Sequence, residues 1–205
     1  MKLKHTIQFY NQTLQRDLRP VLKAWLTIHQ DFSKKVKDED ALYFYNERAT
    51  LSTLAGAAWK CGFYALEEYA SYKTKKRKLK NGRTDLWLRK NDHTEYVIEA
   101  KQVYVSMSPA ASKTQDKIVA ALDEAKRDAK ASRNQKQGLG IVFVVPEIPP
   151  SKKAQVSEYV TVFIDKLEQI SCDLLSYIFV EDIDYLPAGD AGYFYPGVAL
   201  VTSCC

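Results

Sequence analysis

Three ionisable side chains stand where their neighbours are apolar and strand-forming: Asp85 in "RTDLWL", and Glu99 and Lys101 in "EYVIEAKQVYV". Successive side chains on a strand point to opposite faces. Tyr96, Ile98 and Ala100 therefore share one face, and Val97, Glu99 and Lys101 share the other. Leu86 and Leu88 on one face leave Asp85 on the reverse one. If the two strands pair, one register sets Asp85 beside Glu99, with Lys101 projecting the same way about 7 Å further along. Two carboxylates held together repel, and one protonates unless a cation neutralises them. A hard divalent ion does so while keeping positions open for water and phosphate. A lysine beside it can act on the metal-bound water or offset charge developing on a phosphate. The chemistry such a constellation suits is phosphodiester hydrolysis. The plainer alternative is a solvated sheet face, with Glu99 and Lys101 forming a weak exposed ion pair.

The elements that must position these residues follow from periodicity. Residues 7–30 carry apolar positions at helical spacing, with Pro20 expected to kink that helix or start a second one. "ALYFYNERATLSTLAGAAWK", residues 41–60, reads as a largely buried helix stopped at Gly62, with Glu47 its one acid. "FYALEEYASY" and "RTDLWL" read as strands joined by a basic run and an Asn81-Gly82 turn, and "EYVIEAKQVYV" as a third strand. A helix over 112–134, an apolar strand "LGIVFVVP", a helix over 151–170, and strands in "LLSYIFV" and "GVALVTS" complete the order. Three strands close in sequence predict an antiparallel meander, and the helical crossover after them predicts a parallel neighbour. The expected fold class is α/β, a mixed sheet flanked by helices. Residues 1–40 are expected to be an N-terminal helical extension to a single globular unit over 41–205.

Composition sets the outer bounds. The chain has 205 residues, 46% hydrophobic and 27% charged, as expected of an ordinary folded domain rather than a disordered one. No apolar run approaches the ~20 residues that cross a bilayer, and no secretory signal opens the chain. A cytoplasmic protein with no membrane partner is the expectation. Cys61, Cys172, Cys204 and Cys205 form no CxxC pair, so a structural zinc site is not expected. Net charge is +5, and it is unevenly spread: "KTKKRKLKNGR", Lys73–Arg83, holds seven basic residues in eleven and no acid. Such a run suits a nuclear-import signal, a solvated hairpin or an arm that tracks phosphates. Because it leads into the strand bearing Asp85, Lys73, Lys75, Lys76, Arg77, Lys78, Lys80 and Arg83 are read as nucleic-acid contacts. Lys126, Arg127, Lys130 and Arg133 alternate with acids and read as a solvated helix face. Tyr69 and Tyr72 flank the run and fit strand packing more readily than base stacking. His5, His29 and His93 have no partner at metal-ligand spacing and read as structural or surface residues.

With these residues in place, the sequence resembles the PD-(D/E)xK nuclease superfamily, the restriction-endonuclease-like fold. "GRTDLWL" resembles the family's first acidic element, "VIEAK" its ExK element, and "YNERATLSTLAGAAWKCG" its upstream helix, over roughly residues 42–145. The resemblance implies an αβββαβ core, with Asp85 and Glu99 as metal ligands and Lys101 as the catalytic lysine. It also implies Glu47 as an accessory acid and the Ala100 carbonyl as a further ligand. Mg²⁺ or Mn²⁺, a water nucleophile and DNA cleavage come with it. Thr84 stands where the family usually has proline, and Gln102 and Tyr104 are two apart where RecB-like members have Gln and Tyr four apart. Glu67 and Glu68 compete with Glu47 for the accessory role, one of them facing the site if their strand pairs. A homodimer is implied if one site per chain is to cut both strands. The alternative function is a catalytically inactive DNA-binding or assembly module of the same fold. A third reading is an interaction protein whose acidic pair is surface charge.

Overall fold

In the computed structural model the residues described are all but 76–77, 92–93, 109–110, 133–136 and 190–191, with 71–75 and 78–80 described by backbone alone. Seven strands and four helices run in the order β1 (Leu3–Phe9), α1 (Gln12–Val36), α2 (Glu47–Lys60), β2 (Tyr64–Lys75), β3 (Lys78–Asn91), β4 (Thr94–Ser106), α3 (Thr114–Ser132), β5 (Gln137–Glu147), α4 (Val156–Glu168), β6 (Leu174–Val180) and β7 (Gly197–Cys204). The strands form one mixed sheet ordered β1-β6-β7-β5-β4-β3-β2. Every neighbouring pair is antiparallel except β4 and β5, which the α3 crossover joins in parallel. The chain is thus α/β, and the expected meander (β2, β3, β4) and crossover are both present.

Alternation along the strands divides the core into two layers. Leu86, Leu88, Tyr96, Ile98, Ala100, Leu139 and Ile141 face α1 and α2, where Leu14, Leu18, Leu22, Trp25, Leu51 and Leu54 are buried. Val105, Val142, Val144, Val201 and Phe179 face α3 and α4, which contribute Ile118, Leu122, Val160 and Phe163. Gly138 and Gly140 lie on this second face. A Cβ on Gly140 would sit 2.4 Å from the Lys126 backbone nitrogen. The absent side chain is what lets α3 settle against the sheet beside Glu99 and Lys101.

Several local expectations give way. Residues 3–9 form an edge strand paired with β6, and a single helix starts only at Gln12. Asn11 sets that start, its side chain accepting from the Thr13 and Leu14 backbone nitrogens at 3.0 and 3.2 Å. Pro20 is accommodated inside one continuous α1. The first 40 residues, read as a helical extension, therefore supply a strand of the sheet and part of the main core. The helix expected from Ala41 begins at Glu47, where Asn46 caps it through Ala49 N at 3.0 Å. Asn81 and Gly82 are not a turn: they lie within β3, opposite Tyr72 and Ser71. The ladder continues to Lys75–Lys78, so the continuous cross-strand pairing overrides the local turn preference of Asn-Gly. No helix among the described residues is long and apolar enough to cross a membrane.

Candidate functional site

The site is built on a fork in the sheet. β3 pairs with β4 from Asn91–Thr94 up to Leu86–Ile98 and then leaves it. Beyond that point β3 continues with β2 as far as Lys75–Lys78, while β4 continues with β5 as far as Ser106–Glu147. Asp85 is the first residue of β3 past the last pair, and continuing the register by one residue sets it opposite Glu99. β3 and β4 pair antiparallel as expected, and their ladder ends one residue short of Asp85 and Glu99.

Where β3 departs, the backbone donors of β4 lose their ladder partners and must find others. Two carboxylates take that role. Asp85 Oδ2 accepts from the Ala100 backbone nitrogen at 2.7 Å. The Glu47 carboxylate accepts from the backbone of Gln102, the next donor along the same edge. Both acids are thereby drawn to the apex of the fork. Burial, followed by the charge of Asp85, pushes the Glu47 carboxyl above its ordinary pKa. Lys101 and the Gln102 hydrogen bond oppose the rise without cancelling it.

Glu99 is 2% exposed and accepts from the Ser132 hydroxyl, at the end of α3, at 2.8 Å. Lys101 shares its face. Its Nζ lies 3.3 Å from Asp128 Oδ2 and 3.7 Å from Glu124 Oε1, both on α3. Burial lowers the Lys101 pKa, but Asp128, Glu47 and Glu124 outweigh it and hold the ammonium above its ordinary range. The lysine is thus a fixed positive charge rather than a proton acceptor at neutral pH.

The rivals of Glu47 separate cleanly. Glu67 turns towards α2 and accepts from the Ser52 hydroxyl at 2.6 Å, off the face that carries Asp85. Glu68 falls opposite Asp85 in the β2–β3 register, in a left-handed conformation with φ 52°. There it pairs with Arg48 Nε at 3.0 Å and Arg83 Nη1 at 3.3 Å. Its charge is felt at Glu47 but is matched by two guanidinium groups.

Sequence reasoning missed the residues that hold this apex. Gln102 accepts from Thr50 Oγ1 at 2.7 Å and donates to the Tyr104 hydroxyl at 2.8 Å and the Tyr43 carbonyl at 3.3 Å. Tyr104 in turn donates to the Phe44 carbonyl at 2.7 Å. These bonds tie the segment before α2, and so Glu47, to the free edge of β4. The two-residue spacing of Gln102 and Tyr104 was the signal: it places both side chains on the α2 face.

Among the described residues, no three His, Cys, Asp or Glu side chains form a group that could hold a metal ion. The expected set of Asp85, Glu99 and Glu47 lines one fork without closing into a three-acid cage. What it offers is the Asp85 carboxylate on the backbone of Ala100, the residue between Glu99 and Lys101 on β4. Of the basic run, Lys76 and Arg77 lie outside the described residues, as does His93. The backbone at Lys73, Lys75, Lys78 and Lys80 forms the far end of the β2–β3 hairpin, and Arg83 stands 68% exposed near the apex. On α3, Glu124 and Asp128 reach Lys101, while Asp123, Lys126, Arg127 and Lys130 line a separate cavity with Cys204 and Cys205. Comparison of the chain with protein-family models, with curated proteins and with solved structures finds no match.

Proposed function

We propose that this chain is a metal-dependent nuclease of the PD-(D/E)xK type, with a restriction-endonuclease-like core, that hydrolyses phosphodiester bonds in DNA. One observation carries the reading: Asp85 follows the last β3–β4 pair, Leu86–Ile98, and its carboxylate accepts from the backbone nitrogen of Ala100, the residue between Glu99 and Lys101. The donor set suits a hard cation, since all of it is carboxylate and carbonyl oxygen. The raised pKa of Glu47 beside Asp85 marks negative charge that a cation would neutralise. Asp85, Glu99 and the Ala100 carbonyl would hold Mg²⁺ or Mn²⁺, which supplies Lewis acidity and a lowered pKa for bound water.

The chain's own residues divide the remaining work. Lys101, kept protonated by Asp128 and Glu124, offers hydrogen bonds and positive charge to a phosphate oxygen as charge accumulates there. Glu47, whose proton is held more tightly than an ordinary carboxyl's, orients water and takes up a proton at its carboxylate. Arg83 and Arg48 flank the apex and steer a polyanion towards it.

A specific observation favours a second reading, a binding module of the same fold without catalysis. Lys101 is already paired with two α3 acids, and no three-acid group is assembled among the described residues. Incubation with supercoiled plasmid in Mg²⁺, Mn²⁺ or EDTA separates the two. The nuclease reading expects nicking or linearisation that EDTA stops and that Asp85→Ala and Lys101→Ala each reduce at least ~10²-fold. Full activity in both variants would remove the site assignment, and metal-independent DNA binding without cleavage would establish the second reading.

A further inference from the structure

A cavity of about 420 Å³ opens at the far end of β4; Tyr104, whose hydroxyl helps hold the fork apex, lines it, but none of the residues assigned above to the chemistry does. Tyr104 and Ser106 on β4, Ser112, Lys113 and Lys117 around the start of α3, and Glu147 at the end of β5 form its walls. Ser106, Ser112, Lys113 and Lys117 put donors into its lining. The Ser106 hydroxyl oxygen accepts from the Ser108 backbone nitrogen at 3.2 Å, which leaves its own proton to donate elsewhere. Lys117 Nζ spends one proton on the Tyr104 carbonyl at 2.7 Å and keeps two more. Neither Lys113 nor Lys117 has an ion-pair partner among the described residues, and Glu147 is the one acid in the lining.

The cavity is held in shape by contacts behind it. Thr114 Oγ1 donates to the Ser106 carbonyl at 3.2 Å, fixing α3 to the end of β4. Lys166, from α4, donates to the Ser108 and Ala111 carbonyls at 3.2 and 3.4 Å and anchors the rim. A rim held this way is pre-positioned, so less freedom is lost when a ligand binds.

Its place relative to the fork indicates the ligand. Beyond Ile98, β4 leaves β3, and its edge, capped at Ala100 by Asp85 and at Gln102 by Glu47, leads from Glu99 towards the cavity. Tyr104 and Ser106 lie five and seven residues past Glu99, about 17–23 Å along the strand. At about 3.4 Å of duplex axis per nucleotide, that distance is roughly five to seven phosphates of one strand. The basic hairpin leaves the apex on the other arm of the fork.

We propose that the Lys113–Lys117 cavity is a phosphate subsite that grips the nucleic-acid backbone several nucleotides from the scissile bond, on the arm of the fork opposite the basic hairpin. The proposal rests on the nuclease reading for the identity of its ligand, but it needs binding alone and no catalysis. It makes the substrate a stretch of nucleic acid spanning both arms.

Fluorescence anisotropy with a labelled DNA duplex of about 20 bp, in EDTA and over a series of salt concentrations, tests it. The Lys113→Ala/Lys117→Ala double variant should bind at least ~10-fold more weakly, with a log–log salt slope shallower by about 2, one for each lost phosphate contact. Lys113→Glu, at a side chain that makes no hydrogen bond among the described residues, should weaken binding further than Lys113→Ala. Wild-type affinity and slope in both folded variants would overturn the subsite while leaving the plasmid-cleavage result untouched. Inorganic phosphate binding the wild type as tightly as the duplex, and lost in the same variants, would also overturn it by assigning the cavity to a small anion. Loss of plasmid cleavage in a wild type that still shows this lysine-dependent binding would sink the nuclease reading and leave the subsite standing.

Discussion

Glu181 and Glu47 are acids beside the same sheet, and their surroundings differ in kind. Glu181, just after β6, is 7% exposed and meets Lys2 Nζ at 3.1 Å, Lys4 Nζ at 3.4 Å and the Ser157 hydroxyl at 2.7 Å. Burial raises its pKa, but the Ser157 hydroxyl and the two ammonium groups outweigh that and bring it below the ordinary value. Glu47 stands among Asp85 and Glu68, and its pKa is raised by burial and by those charges. The first arrangement fastens β1 and α4 to β6 and needs nothing from outside. The second holds like charges together at some cost in stability, which makes sense if a cation completes it.

His29 provides a third environment, with burial as the sole cause, and the largest effect on stability. It is 2% exposed on α1, edge-on to Trp25 at 4.7 Å, and its pKa is pushed down to about 3. Thr53 Oγ1 donates to the Thr50 carbonyl and lies 3.3 Å from His29 Nε2, so Nε2 carries the proton and buried Nδ1 is left without a partner. The unfolded chain binds this proton near pH 6.5 and the folded chain does not, so stability falls as pH drops below that value. Between pH 6.5 and 5 the loss should be about 2 kcal/mol, and a His29→Phe variant should show a slope shallower by about one proton in urea unfolding. Equal slopes in the two proteins would contradict a neutral buried imidazole.

Breaking the compensated acid should cost less. Glu181→Ala removes charge-assisted bonds to lysines that are 70% and 36% exposed, so a loss of about 1–2 kcal/mol at pH 7 is expected. Because the folded pKa lies below the unfolded one, that contribution is complete above the ordinary carboxylate pKa and disappears as pH falls through the folded value. A deficit that persists undiminished in acid would mean that packing, not charge, was lost.

The smallest effect has the opposite sign. Glu47 holds its proton more tightly folded than unfolded, so its ionisation costs stability as pH rises through the carboxylate range. In metal-free buffer at pH 7, Glu47→Gln should raise stability by a few tenths to about 1 kcal/mol. A loss of stability in that variant would place Glu47 among the structural acids with Glu181.

The fold and site were legible in unequal parts. Alternation in "RTDLWL" and "YVIEAK" put Leu86 and Ile98 together on the apolar face, as the ladder has them, because a period of two leaves little freedom once one face is apolar. The meander and the parallel crossover followed from short spacings and the helical stretch between β4 and β5. Leu3–Phe9 was lost to the stronger helical period that follows it, since an edge strand half in solvent has weak alternation. Asn81-Gly82 misled because turn preference is local while the β2–β3 ladder is cooperative across eleven paired positions. The partners of Lys101, Ser132 near Glu99 and the Gln102 network were out of reach for a different reason. They come from α3 and from the segment before α2, and only tertiary packing brings them to β4.

The proposed function requires Asp85 and Glu99 to hold a divalent cation between them. Thermal unfolding with and without millimolar Mn²⁺ tests it without requiring any substrate. The account predicts a Tm that rises with Mn²⁺ concentration in the wild type, following mass action, and stays flat in Asp85→Asn and Glu99→Gln. A wild-type Tm that does not move with Mn²⁺, or that moves equally in both variants, would contradict it.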